Sequence, residues 1–221
     1  MCGKFTQMVG WAELLALAEI AAAPDSALEA ITPMRFADVI ALGEGGRRET
    51  VRMRWGLVPA WEKDPLSGTR HIHARAETID TKRTFRDAFA RRRGLVVVHS
   101  FNEGKEITPR KTEQHIVTPR DGKPLAIAVV WERWTGRNEG ALLSFAMVTV
   151  TANALISTIT DRMPAVVAES DWPKWLGEMP ASVEELKAIL VPFEGDWEMQ
   201  SAAKARPPKP PKPQPAQREL F

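Results

Sequence analysis

Cys2, in the opening Met-Cys-Gly-Lys-Phe, is the only cysteine among 221 residues. Its place next to Met1 suggests chemistry, because removal of that methionine would leave one residue carrying both a thiol and a free α-amine. The α-amine has a reference pKa near 7.7, against about 10.4 for lysine, so roughly one-sixth of it is unprotonated at neutral pH and able to attack an aldehyde. The thiol, with a reference pKa of about 8.5, is only a few per cent thiolate at pH 7 but is strongly nucleophilic. An imine formed at the nitrogen is then captured by the neighbouring sulfur, closing a five-membered thiazolidine in an intramolecular step that needs little further ordering. A lone cysteine is more often a small buried hydrophobe, yet chain ends are seldom core. His71-Ile-His73 has a spacing that puts both imidazoles on one face of a strand. With no carboxylate or thiol at an obvious ligand spacing it does not read as a zinc site, and no metal or other cofactor is expected.

The elements that must position these groups read as follows. A helix is expected from about Trp11 to Ala22, where Trp11, Leu14, Leu15 and Ala18 share a face and Pro24 ends the run. RFADVIAL (35–42) and ETVRMRWGLV (49–58) read as strands joined by the hairpin GEGG. Further strands are expected in GLVVVHSF (94–101), EQHIVTP (113–119), LAIAVVW (125–131) and FAMVTVT (145–151), with RDGK (120–123) a tight turn. Short helices fit TFRDAFARR, DWPKWLG and SVEELKAIL, and in the last Ser182 and Glu185 have capping-box spacing. Strands in groups with short turns, without long crossover helices, imply an α+β fold of mixed, mainly antiparallel sheets in a barrel-like core with short flanking helices.

One domain over residues 1–200 and a solvated, disordered Pro/Lys-rich tail over 201–221 follow from length and composition. The net charge is +2, but the tail carries five cations against Glu219, which leaves the remainder at −2. A folded body of that charge binds nucleic acid through a local groove and not through a blanket field. No stretch approaches the roughly 20 apolar residues that span a bilayer, and the lone thiol fits a reducing compartment, so a cytoplasmic monomer is expected. Ala90–Arg93 reads as a solvated helix end with cations near its C-terminus. Arg48, Arg52 and Arg54 alternate onto one strand face, open to DNA or to solvent.

A Met-Cys-Gly start also opens the class II glutamine amidotransferases, whose N-terminal cysteine attacks an amide, and an ammonia-release assay would detect that activity. Six stretches, that start among them, point elsewhere by their order and spacing. MCGKF (1–5), RWGLVPAW (54–61), HARAET (73–78), RRGLVVVHSFNEG (92–104), LAIAVVWERW (125–134) and TVTANALISTITDRMPAV (149–166) resemble the SOS response-associated peptidase (SRAP) family over roughly residues 2–190. The resemblance implies a sensor of abasic sites in single-stranded DNA, whose N-terminal cysteine forms a thiazolidine crosslink with the ring-opened sugar. It also implies self-removal of the initiator methionine and a lyase-type reversal. Carried over by position, Cys2 is the nucleophile and Glu103 the acid–base carboxylate. Arg75 and Arg162 contact phosphates, and Lys4 and Asn153 join the DNA-binding set. Trp55 and Trp61 offer faces for stacking bases. Taken alone, Glu103 reads as a solvated turn carboxylate beside Gly104, Arg75 as an ion-pair partner of Glu77, and Arg162 as one of Asp161.

This chain departs from the family where the chemistry should lie. It has His73 in place of Asn, Thr160 in place of the His of the family's His-Asp-Arg-Met-Pro pattern, and Asn102 and Gly104 in place of the Tyr and Trp flanking the glutamate. Thr160 cannot act as an acid or base near pH 7, whereas an imidazole can. Either His73 replaces the lost imidazole from across the pocket, or the site is eroded and the protein is a weakened, non-covalent DNA-binding relative. The exchange of roles predicts that His73→Ala weakens crosslinking more than His115→Ala.

Overall fold

Residues 2–9, 27–136 and 140–202 are described by the computed structural model. The helix expected over 11–22 and the chain from 203 onward lie outside the described residues. The strands are β1 (Lys4–Val9), β2 (Ala27–Ile31), β3 (Phe36–Leu42), β4 (Arg48–Trp55), β5 (His73–Arg75), β6 (Arg93–Val98), β7 (Ser100–Thr108), β8 (Lys111–Pro119), β9 (Leu125–Thr135), β10 (Ala141–Thr151), β11 (Arg162–Pro164) and β12 (Trp197–Ser201). Among the described residues three short α-helices flank them: α1 (Arg86–Arg91), α2 (Trp172–Leu176) and α3 (Val183–Ile189).

Five strands close on themselves in the order β10-β4-β3-β6-β9 and back to β10, antiparallel except for β10 with β4. The free half of β10 carries β5 in parallel on one side and β11 antiparallel on the other. A second sheet, β12-β8-β7-β1-β2, is antiparallel throughout. The α+β fold with mainly antiparallel sheets and a barrel core is the one the chain adopts. β6 and β9 are near-continuous apolar runs because both of their faces are covered, as strands inside a closed barrel require.

Local chemistry accounts for several joints. The GEGG hairpin forms, with Gly43 N–H donating to Arg47 O and Gly46 at φ 68°. Ser182 and Glu185 make the reciprocal capping box that starts α3. Two expectations need correction. The run 94–101 is not one strand: it ends at Val98, crosses at His99 and restarts as β7 in the other sheet. The 120–123 turn exists, with Gly122 at φ 69°, but it joins strands of different sheets and makes no hairpin. The strand β12 also carries ordered chain through Ser201, and Ala202 N–H donates to Gln114 O.

The two sheets are sewn together by β1. Gln7, 2% exposed, donates from Nε2 to Asp38 O (2.8 Å) and Val97 O (3.2 Å) and accepts from Asp38 N–H (2.9 Å). Trp55 is fully buried; its ring lies 5.1 Å from Phe5 of β1, 6.4 Å from Phe145 and 6.0 Å from His73. Its indole N–H donates to Ile72 O. A ring of this size buried among partners contributes several kcal/mol, about 3–5 if truncated to alanine.

Candidate functional site

The site forms where β1, β7 and β5 converge. Lys4 pairs with Asn102 and Phe5 with Phe101, so the start of the chain runs alongside Glu103. Glu103 is not the solvated turn carboxylate that the sequence alone suggests: it lies inside β7 and is 0% exposed. Burial pushes its carboxyl up to about 7, while the backbone N–H groups of Cys2 and Gly104 pull the other way. His73 begins β5, with its ring edge against Trp55. Burial lowers it to about 4, opposed by hydrogen bonding to the Cys2 backbone, and its Nε2 is buried without a partner among the described residues. Cys2 itself is 1% exposed; burial, then the negative charge of Glu103, raises its thiol, whose Sγ lies 3.4 Å from Lys4 O.

Cys2 therefore meets a carboxyl from one sheet and an imidazole from the other. The carboxyl titrates near neutrality and can both give and take protons; the imidazole is neutral at pH 7 and can only accept. The contacts that join these three residues do not include Thr160, which follows the 3₁₀ turn Ile156–Thr158 and donates its N–H to Ile156 O.

The two arginines lie on one flank. Arg75 is exposed and shares a β5 face with His73, two residues and roughly 6–7 Å along the strand. Arg162, on β11, spans Thr149 of β10 to reach Glu77: its guanidinium donates to both Glu77 carboxylate oxygens (2.6 and 3.0 Å) and to Thr149 O (2.7 Å). That hydrogen bonding holds Glu77 below the usual carboxylate range. The partner of Arg162 is thus Glu77 and not Asp161. Lys4 is exposed at the mouth of β1.

Several expected residues do other work. Trp55 is core and has no face for a base. Trp61 is half exposed with the Arg83 guanidinium 4.7 Å from its ring centroid. Asn153, 4% exposed, accepts from Ile156 N–H and donates to Phe193 O, so its amide is engaged in holding a turn. His71 points at Leu57 O and Phe85 while His73 faces Cys2, so the pair does not share a face; no metal-ligand cluster occurs among the described residues. Arg93 donates to Phe89 O, Ala90 O and Trp175 O, and Arg92 pairs with Glu132, so these two are structural, while Ala90 and Arg91 are exposed as a solvated helix end. Arg48 pairs with Glu178, Arg52 with Asp38, and Arg54 donates to Pro65 O. His115, expected as a neutral control, sits directly across from Glu103 in the β7–β8 register. The signal was Pro109: folding the chain back at that residue pairs every position from 101 to 106 with its partner summing to 218.

The chain resembles known proteins in both sequence and fold. A family profile described as SOS response associated peptidase (SRAP) matches residues 1–205. The chain is 28% identical over 155 residues to "Abasic site processing protein YoqW" of Bacillus subtilis, covering 70% of this chain and 69% of that protein. It is 29% identical over 177 residues to "Abasic site processing protein HMCES" of Mus musculus, covering 66% of this chain but 50% of that one. A crystal structure of a protein from Bordetella bronchiseptica shares the fold at TM-score 0.74 and 21% identity, over 90% of this chain and 99% of that one. No helix among the described residues is long and apolar enough to cross a membrane.

Proposed function

This chain belongs to the SOS response associated peptidase family, and from that premise we propose that it is an abasic-site sensor acting through Cys2 on single-stranded DNA. Once Met1 is removed, by self-cleavage or by an aminopeptidase, the Cys2 amine adds to the C1′ aldehyde of the ring-opened sugar and expels water to give an imine. The Cys2 sulfur then adds to the imine carbon as the thiol proton passes to the nitrogen, and the thiazolidine closes. One water leaves overall and no oxidant or reductant is consumed. Glu103 supplies the proton for water loss and takes one back; His73, neutral at working pH, accepts from the thiol. Arg75, with Arg162 and Lys4 beside it, holds the flanking phosphates. The protein acts as a cytoplasmic monomer, and reversal of the adduct is a hydrolysis that takes back the one water lost in its formation.

The single observation that carries the reading is the meeting of Glu103 and His73 at the backbone of Cys2. The test is incubation of the methionine-processed protein with single-stranded DNA bearing one abasic site, followed by a denaturing gel. Wild type should give a band that survives denaturant and high salt, and Cys2→Ala none. Absence of the wild-type band sinks the proposal.

The burial of Cys2 favours a second reading, a non-covalent binder in which the thiol stays protonated and idle. Salt separates the two, because phosphate-driven binding weakens steeply as salt rises while a covalent bond does not.

A further inference from the structure

Glu103 is wholly enclosed, so each proton it gives or takes must have a way to bulk water. The β7–β8 register offers one. His115 stands opposite Glu103 on the same sheet face, where cross-strand Cβ atoms lie about 4.5–5.5 Å apart. Its side chain is 14% exposed, and its Nε2 lies 3.9 Å from Oε1 of Glu113, which is 44% exposed. Its other nitrogen, Nδ1, is buried with no partner among the described residues. Exposure thus rises stepwise from carboxyl to imidazole to surface carboxylate along one face of the sheet.

We propose that His115 is the proton relay and positioning residue of Glu103, connecting the buried carboxyl to Glu113 and solvent. The two side chains share no direct hydrogen bond, so in the forward step one water between them takes the proton of the Glu103 carboxyl and passes one to Nδ1, while the proton on Nε2 leaves for Glu113 or solvent; the ring ends neutral in its other tautomer and no charge accumulates. The charged and titratable groups facing this path are Glu103 and Lys105 on β7, Glu113 on β8, and Cys2 and His73 beyond Glu103; the neighbour on β12 is Ser201, which does not titrate. The relay rests on the role given to Glu103 above, and its test is read without crosslinking as well as with it.

The experiment follows the Glu103 carboxyl by ¹³C NMR through its titration, in wild type and in His115→Gln. Wild type should show one averaged resonance, and the variant a broadened or split one near the midpoint, because proton exchange has slowed. Crosslinking at low buffer concentration should fall about tenfold, less than the hundredfold or more lost with a group that meets substrate itself, and added imidazole should restore it. Equal line shapes, or a slowed variant that imidazole does not restore, overturn the relay. A wild type that shows the NMR difference but forms no crosslink overturns the function of Glu103 and leaves the relay standing. His115→Phe keeps the ring's bulk and replaces the glutamine variant if that one does not fold.

Discussion

At the scale of single residues, Glu103 and His73 are displaced from their ordinary titration ranges in opposite senses by the same cause, burial. The folded state binds the Glu103 proton more tightly than the unfolded chain does, so stability falls as pH rises from about 4.5 to about 7 and is level above. His73 is held neutral in the folded state, so its contribution is fully present above about 6.5 and is lost as pH falls toward about 4. Each displacement corresponds to about 3 kcal/mol, and the two slopes oppose one another between pH 4.5 and 6.5. Wild type should therefore be nearly flat across that window in this respect. Glu103→Gln should leave a protein whose stability climbs with pH, and His73→Gln one whose stability declines; denaturant melts at pH 5 and pH 7 read both signs. Under the proposed mechanism the same two residues govern crosslinking, and His73→Ala should slow it by roughly a hundredfold if its imidazole takes the thiol proton, as read from single-turnover gels.

At the scale of elements, the loop from β4 to β5 decides where His73 lands. It leaves β4 through Gly56, at φ 125°, whose N–H donates to Phe145 O and whose missing side chain leaves room for Gly68 O. An added Cβ would sit 2.8 Å from that carbonyl. Gly56→Ala should lower stability by about 1–3 kcal/mol and slow crosslinking out of proportion, because the displaced loop carries His73 away from Cys2; a thermal melt beside the gel assay separates the two effects. Barrel strands such as β6 and β9 were legible because unbroken Val, Ile and Leu runs have few other places to go. The start of β7 was not: Asn102, Glu103 and Gly104 read as a turn, and only pairing on both sides turns them into strand. Short β5 and β11 likewise exist because β10 offers them its free half, which no local propensity announces. For the site, Cys2 was marked as a candidate nucleophile by its position alone, whereas the enclosure of Glu103, the Arg162–Glu77 pair and the facing of His115 depend on contacts between distant segments.

At the scale of the whole molecule, charge is spread thinly and partnered. The arginines of β4 and of the α1 end are held by carboxylates and carbonyls, which leaves exposed Arg75 and Lys4 beside the site as the cations best placed for a backbone phosphate. Arg75→Ala should weaken binding across all sequences and reduce the dependence of log affinity on log salt by about one. Arg162→Ala should do this and also lower the melting temperature, since Glu77 then loses its bidentate partner. Fluorescence anisotropy over a salt series measures both. The crossing at His99 has a last consequence. Thiol and carboxyl hang from one half of the architecture and the imidazole from the other, so the reagent exists only after the halves have docked. Under the proposed mechanism, a chain whose halves have not docked lacks the imidazole beside Cys2 and meets aldehydes only at the unassisted rate of a free amine and sulfhydryl.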